Sequence, residues 1–369
     1  MKIAYDHQMF TNQSYGGISR YYKDLAGTLL KQGQNVNIFA GMHRNYYVPL
    51  LPKGIVRGFK LNNYPFKSRL AFSRLNHVIG QLQMKQWKPD IIHETYYSSL
   101  TSLKTNAIRF ATVHDMIHEL YPDMFSNRDN TTQFKQDTIS RVDHIISISE
   151  STKLDLMKIF DIEESKISVI HHGVDSSLFE DIPGNLEISE KPYLLYVGTR
   201  GGYKNFNGFL KAVASSSLLM KNFDLIAVGD EFTLNENEFI SSLGFNDNQV
   251  RQVPHLTDFH LAQFYSNASA FVFPSLYEGF GLPPLEAMSA GCPVISSNTS
   301  SMPEVVRNAG IYFNPYDTEE MRSAIEKVVF SEDLKKQLIM LGYENIKSFS
   351  LNKCASKTRE VYSKLTGKT

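Results

Sequence analysis

The sequence predicts an α/β protein with two doubly wound parallel sheets. Short apolar runs alternate with segments of helical periodicity, and this alternation stops near residue 180 and then restarts. The length of 369 residues also fits two domains of ordinary size. We therefore expect Rossmann-like domains at residues 1–176 and 193–345, facing each other across a cleft.

The apolar runs of the first half place the elements of the first domain. Strands are expected at residues 3–5, 36–39, 91–93, 110–113, 144–148 and 167–170. Helices are expected at residues 18–29 and 69–87, and a third, capped by Ser149 or Ser151, should run to Phe160.

The break between the halves, residues 177–192, contains Pro183 and Gly184 and has no clear periodicity, so we interpret it as a linker. Strands are then expected at residues 193–197, 225–228, 270–273, 294–296 and 311–313, with helices at 206–215, 258–267 and 284–290. From residue 318 onward the pattern is helical, and residues 346–369 should form a terminal helix.

The composition excludes several classes of protein. Lys plus Arg and Asp plus Glu both number 38, and 42% of residues are hydrophobic, which excludes global disorder and a wholly basic nucleic-acid binder. No apolar run is long enough to cross a membrane, and the N-terminus does not resemble a signal peptide. With Cys292 and Cys354 as the only cysteines and no CxxC motif, we expect a reduced, cytoplasmic protein.

The zero net charge hides a strongly basic segment. Residues 25–89 contain no Asp or Glu, and aromatic residues are interleaved with their basic ones. The basic residues are Lys31, Arg44, Lys53, Arg57, Lys60, Lys67, Arg69, Arg74, Lys85 and Lys88. Such a surface suits an anionic membrane or a phosphate-bearing acceptor, and the alternative is a solvated face balanced by acids elsewhere in the fold.

A loop at residues 274–286 predicts an anion site. It follows a strand, contains Gly279 and Gly281, and leads into a helix whose N-terminus offers free N–H groups. Glu278 lies in the loop and Glu286 is expected in the first helical turn; carboxylates there suit sugar hydroxyls better than phosphate. A phosphate flanked by two polyols describes a nucleotide sugar, while the alternative is a capping Glu286 and a surface Glu278.

Two further loops follow predicted strands. In the loop at residues 198–205, Arg200 and Lys204 suit diphosphate oxygens, although an ordinary surface loop is the alternative. Gly16 and Gly17 form a second turn that could contact phosphate. His114 ends another strand and is placed to face the cleft, the alternative being a structural histidine bonded to Asp115. The metal-binding Asp-x-Asp pattern is absent, so we expect no metal or other cofactor.

These motifs together resemble the retaining glycosyltransferases of family 4. Glu278 and Glu286, with seven residues between them, are similar to that family's E-x7-E signature. The glycine turn at residues 16–18, the pair 114–115, residues 147–151 and 173–175, and the loop 196–205 fall in the family's order. The resemblance implies the two-domain GT-B fold, a nucleotide-sugar donor without a metal, and a terminal helix that crosses back to the N-terminal domain, where the acceptor binds.

The resemblance also implies roles for residues of the second domain. Glu286 would bind the ribose hydroxyls and Glu278 the transferred sugar, while Arg200 and Lys204 would hold the diphosphate. Backbone amides would line the sugar and phosphate, and these belong to Phe280, Gly281 and Leu282.

In the first domain, the resemblance implies that Gly16 and Gly17 contact the diphosphate and that His114 lies beside the anomeric carbon. Residues 199–205 further resemble bacterial O-antigen mannosyltransferases, which favours GDP-mannose as donor. The acceptor would be a glycan or a polyprenyl-diphosphate-linked glycan at the inner face of the membrane, with no role for nucleic acid. A UDP-sugar transferase, a nucleotide-sugar epimerase and a non-catalytic nucleotide-sugar-binding protein are the alternatives.

Overall fold

A computed structural model describes residues 1–62, 64–65, 68–101, 104–179, 188–254 and 256–368. Phe66 and Lys67 of the basic segment, and residues 180–187 of the expected linker, lie outside these residues. The chain divides into two compact units. The first comprises Met1–Gly173 and Leu351–Thr369, and the second comprises Val174–Ser350.

A seven-stranded parallel sheet forms the centre of the first unit. Its strands are β1 (Lys2–Tyr5), β2 (Asn35–His43), β3 (Val56–Lys60), β4 (Ile91–Glu94), β5 (Ile108–Val113), β6 (His144–Ser147) and β7 (Ile167–Val169). They lie in the order β3-β2-β1-β4-β5-β6-β7, so the order reverses at β1. Ligands of doubly wound sheets bind beyond the carboxyl ends of the strands at such a reversal.

The helices of this unit precede or follow the strands of the sheet. They are α1 (Gln8–Asn12), α2 (Gly17–Lys31), α3 (Arg69–Trp87), α4 (Ile117–Leu120), α5 (Thr131–Arg141) and α6 (Glu150–Phe160). In α2, Tyr21, Leu25 and Leu29 are buried at helical spacing. Ser149 caps α6, since its side chain accepts a hydrogen bond from the Thr152 amide.

The helix at Leu351–Thr366 completes the core of the first unit. It packs against α2, and its Cys354, Ala355 and Tyr362 belong to the same buried cluster as Tyr22. The Tyr362 hydroxyl lies 2.5 Å from His93 Nδ1 on β4. A segment late in the sequence therefore supplies side chains that the first residues of the chain need for their burial.

The second unit contains a six-stranded parallel sheet of the same type. Its strands are β8 (Tyr193–Val197), β9 (Asp224–Val228), β10 (Val250–Val253), β11 (Ala270–Phe273), β12 (Val294–Ser297) and β13 (Gly310–Phe313). Their order is β10-β9-β8-β11-β12-β13, so the order reverses at β8, between β9 and β11.

The helices of the second unit follow its strands. They are α7 (Phe206–Ala214), α8 (Ser217–Asn222), α9 (Leu234–Ser242), α10 (Asp258–Asn267), α11 (Leu282–Ser289), α12 (Met302–Val306), α13 (Thr318–Val329) and α14 (Glu332–Ile346). The helix of the first unit at Leu351–Thr366 comes last in the chain and is α15. The predicted fold of two parallel-sheet units with helices on both faces is confirmed.

Two strands were not predicted by the apolar pattern. Both β3 and β10 lie at an edge of their sheets. Exposed residues make up most of β3, and all of β10 is only half-buried. Neither segment has the continuous apolar run of a strand that is covered on both faces, which is the signal that identifies the central strands.

Within the described residues, no helix has both the length and the apolar character needed to cross a membrane. Cys292 and Cys354 are free, buried thiols in different units.

We predict that Tyr362→Phe destabilises the first unit by about 1–3 kcal/mol, because it leaves His93 Nδ1 buried without its hydroxyl partner. Urea unfolding followed by the fluorescence of Trp87 measures this, since the chain has one tryptophan and it lies in the first unit. The matched control is Tyr46→Phe, because the residue Tyr46 is 54% exposed. Equal unfolding midpoints for the two variants would contradict the prediction.

Candidate functional site

The carboxyl edge of the second sheet brings two predicted loops together. Strands β8 and β11 are hydrogen-bonded neighbours, so the loops that follow them leave the sheet side by side. The Leu276 amide donates to the Tyr203 carbonyl over 2.7 Å, which ties one loop to the other. The two glycine-containing loops singled out from the sequence therefore form one continuous surface.

Lys204 and Glu278 meet on this surface. The Lys204 ammonium donates to Glu278 Oε1 over 2.6 Å, and the Ser275 hydroxyl donates to the same oxygen over 2.6 Å. The Glu278 side chain is 11% exposed and that of Lys204 is 18% exposed. A cation and an anion thus lie at the edge of solvent, where a ligand that carries both phosphate and hydroxyl groups would contact both.

The backbone around Glu278 is fixed by the loop after β12. The Glu278 amide donates to the Ser300 hydroxyl over 2.9 Å, and the Ser301 hydroxyl donates to the carbonyls of Glu278 and Phe280, at 2.9 and 2.7 Å. Gly281 has φ of 110°, and a Cβ there would lie 2.5 Å from the Met302 side chain. The approach to α11 therefore requires glycine at this position.

Arg200 is held by an acidic partner. Its Nε donates to Glu236 Oε1 over 2.6 Å, and its Nη2 donates to the Glu231 carbonyl over 2.7 Å. The guanidinium lies 4.8 Å from the centre of the Phe232 ring. Its buried Nη1 has no hydrogen-bond partner among the described residues. One edge of the guanidinium is thus fixed while Nη1 retains donor capacity for a ligand oxygen.

Glu236 is held in turn by the start of α9. The Thr233 hydroxyl accepts from the Glu236 amide, and the Glu236 carboxylate accepts from the Thr233 amide, which is a capping box. Burial acts to raise the pKa of Glu236, but hydrogen bonds from Arg200 and Thr233 outweigh it and hold the pKa below its ordinary value. Glu236 is therefore an anion that orients Arg200.

Glu286 lies on α11, but not in its first turn as predicted. The helix begins at Leu282 rather than at either proline, because Gly281 already adopts the capping position, and Glu286 consequently falls in the second turn. Glu286 is 7% exposed, and its Oε2 lies 3.5 Å from the Tyr265 hydroxyl oxygen. The first amides of α11, beginning with Leu282, are those that a helix leaves without intrahelical partners.

In the first unit, His114 follows β5 and is buried. It makes no hydrogen bond to Asp115; its amide donates to the Tyr97 hydroxyl over 3.2 Å, and its ring stacks on His172 at 5.7 Å. Its Nε2 has no partner among the described residues. Burial, and then the neighbouring His172, hold the pKa of His114 well below its ordinary value, so its imidazole is neutral.

A buried ion pair supports the loop that carries His114. Lys135 on α5 is fully buried; its ammonium donates to Glu119 over 2.6 Å and to the Asp115 carbonyl over 2.8 Å. The same ammonium lies 5.3 Å from the centre of the Tyr97 ring. Lys135 therefore fixes Asp115, which follows His114. It also fixes the ring of Tyr97, whose hydroxyl accepts a hydrogen bond from the His114 amide.

Gly16 and Gly17 lie at the start of α2, beyond the carboxyl end of β1. Gly16 has φ of 156°, and a Cβ at this position would lie 2.2 Å from the Gln13 side chain. The side-chain oxygen of Gln13 in turn accepts a hydrogen bond from the Ser19 amide over 3.1 Å. The amide side chain of Gln13 thus packs directly on the glycine turn.

Models of known protein families match most of the chain. The model described as "Glycosyltransferase Family 4" matches residues 15–178, and that described as "Glycosyl transferases group 1" matches residues 179–345. The chain belongs to the family 4 glycosyltransferases. Its two Rossmann-like units are those of the GT-B fold.

Relatives of this family 4 glycosyltransferase include the O-antigen chain mannosyltransferase RfbU of Salmonella typhimurium. The two are 31% identical over 220 residues, which make up 59% of this chain and 60% of RfbU. Sucrose-phosphate synthase of Thermosynechococcus elongatus has a TM-score of 0.79 at 21% identity, with 99% of each chain covered. HepE of Anabaena, solved in complex with UDP and glucose, has a TM-score of 0.75 at 19% identity, covering 99% of this chain and 100% of HepE.

Several residues of the glycosyltransferase that contact the predicted ones were not singled out from the sequence. Glu236 holds Arg200, Ser275 holds Glu278, and Lys135 supports the His114 loop. The Thr233-x-x-Glu236 spacing is a capping-box signal that the sequence displays. Ser275 and Glu278 are three residues apart in the same loop, whereas Lys135 and Asp115 are 20 residues apart and have no local signal. No cluster of three or more His, Cys, Asp or Glu side chains suited to a metal occurs in the described ranges.

We predict that Glu236→Gln weakens binding of a nucleoside diphosphate about tenfold, because an amide no longer holds the Arg200 fork in one orientation. Isothermal titration calorimetry with GDP and UDP measures the change. Glu238→Gln, on the exposed side of the same helix, is the control and should bind as the unchanged protein does. Tighter binding by Glu236→Gln would show that Glu236 chiefly neutralises Arg200 instead of orienting it.

We also predict that the first unit loses stability in acid. Burial lowers the pKa of His93 and of His172 to about 3, whereas unfolded histidines protonate near their ordinary pKa of 6.5. Between these values the unfolded chain binds more protons than the folded unit, so stability is retained above about pH 6.5 and falls as the pH drops below it. The slope is about 1.4 kcal/mol per pH unit for each histidine.

Urea unfolding followed by Trp87 fluorescence at a series of pH values measures this slope. His172→Gln should reduce the slope of the unfolding free energy against pH by the contribution of one histidine. His260→Gln, at an exposed position in the second unit, should leave the slope unchanged. An unfolding free energy independent of pH between 7 and 5 would contradict the prediction.

Proposed function

We propose that the protein is a metal-independent, retaining glycosyltransferase that moves a hexose from a nucleotide sugar to a glycan or a lipid-linked glycan. The observation that carries the proposal is the Lys204–Glu278 pair of 2.6 Å on loops from adjacent parallel strands. Lys204, a cation suited to a diphosphate, and Glu278, a carboxylate suited to sugar hydroxyls, lie at the carboxyl edge of the same sheet.

In this proposal the leaving diphosphate is stabilised by side chains and amides rather than by a metal. Lys204 transfers part of its hydrogen bonding from Glu278 to a phosphate oxygen, and Arg200 donates through Nη1. The amides of the capping residue Gly281 and of Leu282, the first residue of α11, add backbone donors at the positive end of the helix dipole. Charge that develops on the leaving group is thus met by groups already in place.

The carboxylates are assigned to the two sugars of the donor. Glu278, which also accepts from Ser275, binds the transferred hexose, and Glu286 on the buried side of α11 binds the ribose hydroxyls. We assign His114 of the first unit to a hydroxyl of the transferred hexose, because its neutral ring and unpaired Nε2 suit a hydrogen bond there. Gly16 and Gly17 are assigned to the diphosphate.

For the donor we propose GDP-mannose, and for the acceptor a cytoplasmic polyprenyl-diphosphate-linked glycan of polysaccharide or O-antigen synthesis. The support is the similarity to RfbU, which is named as an O-antigen chain mannosyltransferase. The match spans 60% of the length of RfbU.

The test is a donor screen with purified protein. GDP-mannose is compared with GDP-glucose, UDP-glucose, UDP-galactose and UDP-N-acetylglucosamine, and nucleotide release is measured with and without a lipid-linked acceptor. Acceptor-dependent GDP release from GDP-mannose supports the full proposal, and release from a UDP-sugar changes the donor alone. Epimerised donor without release, or binding without any reaction, would replace the proposed activity by one of its alternatives.

Variants of the second unit assign the roles. Lys204→Ala should lower kcat about a hundredfold, because one donor to the leaving group is lost. Glu286→Ala should raise the donor KM, and Glu278→Ala should lose transfer yet still bind free nucleotide. Lys221→Ala, at an exposed position of the same unit, is the control. Normal kcat for Lys204→Ala would remove Lys204 from the leaving-group role.

A further inference from the structure

Helix α3 of the first unit has a partly polar buried face. This face includes Asn76 and Gln81 together with Gly80 and Met84. The Asn76 side chain accepts from the Met42 amide over 2.8 Å, and donates to the Met42 carbonyl over 2.8 Å and to the Thr11 hydroxyl over 3.0 Å. The helix is therefore attached to the sheet by these polar contacts and, at its C-terminal end, by Met84 and Trp87, which pack in the apolar cluster of Phe39 and Ile92.

The aliphatic side chains of α3 face solvent. Their exposed fractions are 71% for Leu70, 48% for Leu75, 55% for Val78, 36% for Ile79 and 58% for Leu82. Residues 75 and 78, and 79 and 82, are three apart, while 75 and 79, and 78 and 82, are four apart, so the four form a single stripe along the helix. A contiguous apolar stripe is unusual on a surface facing only water and marks an interaction site.

Cations flank the stripe. Arg69, Arg74 and Lys85 are exposed on the same helix, and none of them forms an ion pair within the described ranges. No acidic residue occurs from position 25 to position 89, and the first acid after the helix, Asp90, is paired with Lys368. An apolar stripe between unpaired cations is the pattern of a helix that lies in the interface of an anionic bilayer.

A recess opens at the N-terminal end of this face. It has a volume of about 400 Å³, and its lining includes Arg69, Leu70 and Arg74. Tyr96 and Ser98, which follow β4, line it as well. Arg74 thus belongs both to the exposed face and to the lining of this recess, and its guanidinium is suited to phosphate oxygens.

We propose that the exposed face of α3 docks this protein on an anionic lipid bilayer. The apolar stripe enters the boundary between headgroups and acyl chains, and Arg69, Arg74 and Lys85 bind lipid phosphates. The positive charge decides between a bilayer and a second protein as occupant, because the cations around the stripe have no acidic neighbours in sequence and require an anionic partner. This inference does not depend on the donor or on the reaction proposed above.

Sedimentation with lipid vesicles tests the proposal. The full chain is mixed with phosphatidylcholine vesicles that contain about one third phosphatidylglycerol, and with pure phosphatidylcholine vesicles. We expect binding to the anionic vesicles at about 0.1 M salt, and much weaker binding at about 1 M salt, where screening shortens the reach of the cations. Failure to bind anionic vesicles at low salt would overturn the proposal.

Paired variants separate the apolar and the electrostatic contributions. Leu75→Glu with Leu82→Glu should weaken vesicle binding at least tenfold, and Arg74→Gln with Lys85→Gln about thirtyfold at low salt. The matched controls are Leu154→Glu with Leu218→Glu, which are 62% and 56% exposed elsewhere, and Lys158→Gln with Lys327→Gln. Variants of α3 that bind as tightly as their controls would overturn the proposal.

Two further measurements make the outcome specific. Nucleoside diphosphate affinity should be the same in every α3 variant as in the unchanged protein, since α3 contains none of the residues assigned to the diphosphate. Sedimentation velocity without lipid should show the same species for the unchanged protein and for Leu75→Glu with Leu82→Glu. Self-association that these substitutions abolish would identify a second copy of this chain as the occupant and would overturn the bilayer assignment.

Discussion

The parallel pairing of β8 with β11 is the constraint on which the second unit's candidate site depends. These strands are separated in sequence by β9, β10 and their helices, yet they are neighbours at the centre of the sheet. Since parallel strands end at the same edge, their following loops are placed side by side, and Lys204 reaches Glu278 over 2.6 Å. Lys204 and Glu278, which are 74 positions apart in the sequence, thus form one ion pair.

Each cation of this edge already has an anionic partner. Lys204 is paired with Glu278, and Arg200 with Glu236. Unpaired charges this far from solvent would be costly, so the pairs keep the cations charged and oriented before any ligand binds. A diphosphate that binds as proposed would therefore meet donors whose geometry is fixed, and it would have to share them with carboxylates. This sharing favours a ligand that offers hydroxyl groups to those carboxylates at the same time as it offers phosphate to the cations.

Covered strands and amphipathic helices were predictable from sequence, whereas edge strands and contacts distant in sequence were not. The strand at Tyr193–Val197 and the helix at Gly17–Lys31 follow from apolar periodicity. The edge strands β3 and β10 were missed because neither is covered on both faces. Loop residues such as Arg200 and Glu278 could be named because glycine and charge follow a strand end, but Lys135 could not, since its partners depend on how α5 packs.

The return of α15 to the first unit has a consequence for biosynthesis. Residues Val174–Ser350 form a continuous unit whose sheet needs nothing from the rest of the chain, whereas the first unit needs Tyr362 in its core. During translation the second unit therefore has all its strands available while the earlier one still waits for its closing helix. Until then the surface of α2 that α15 covers remains open to water, and this interval is the one in which the nascent chain depends most on protection from aggregation.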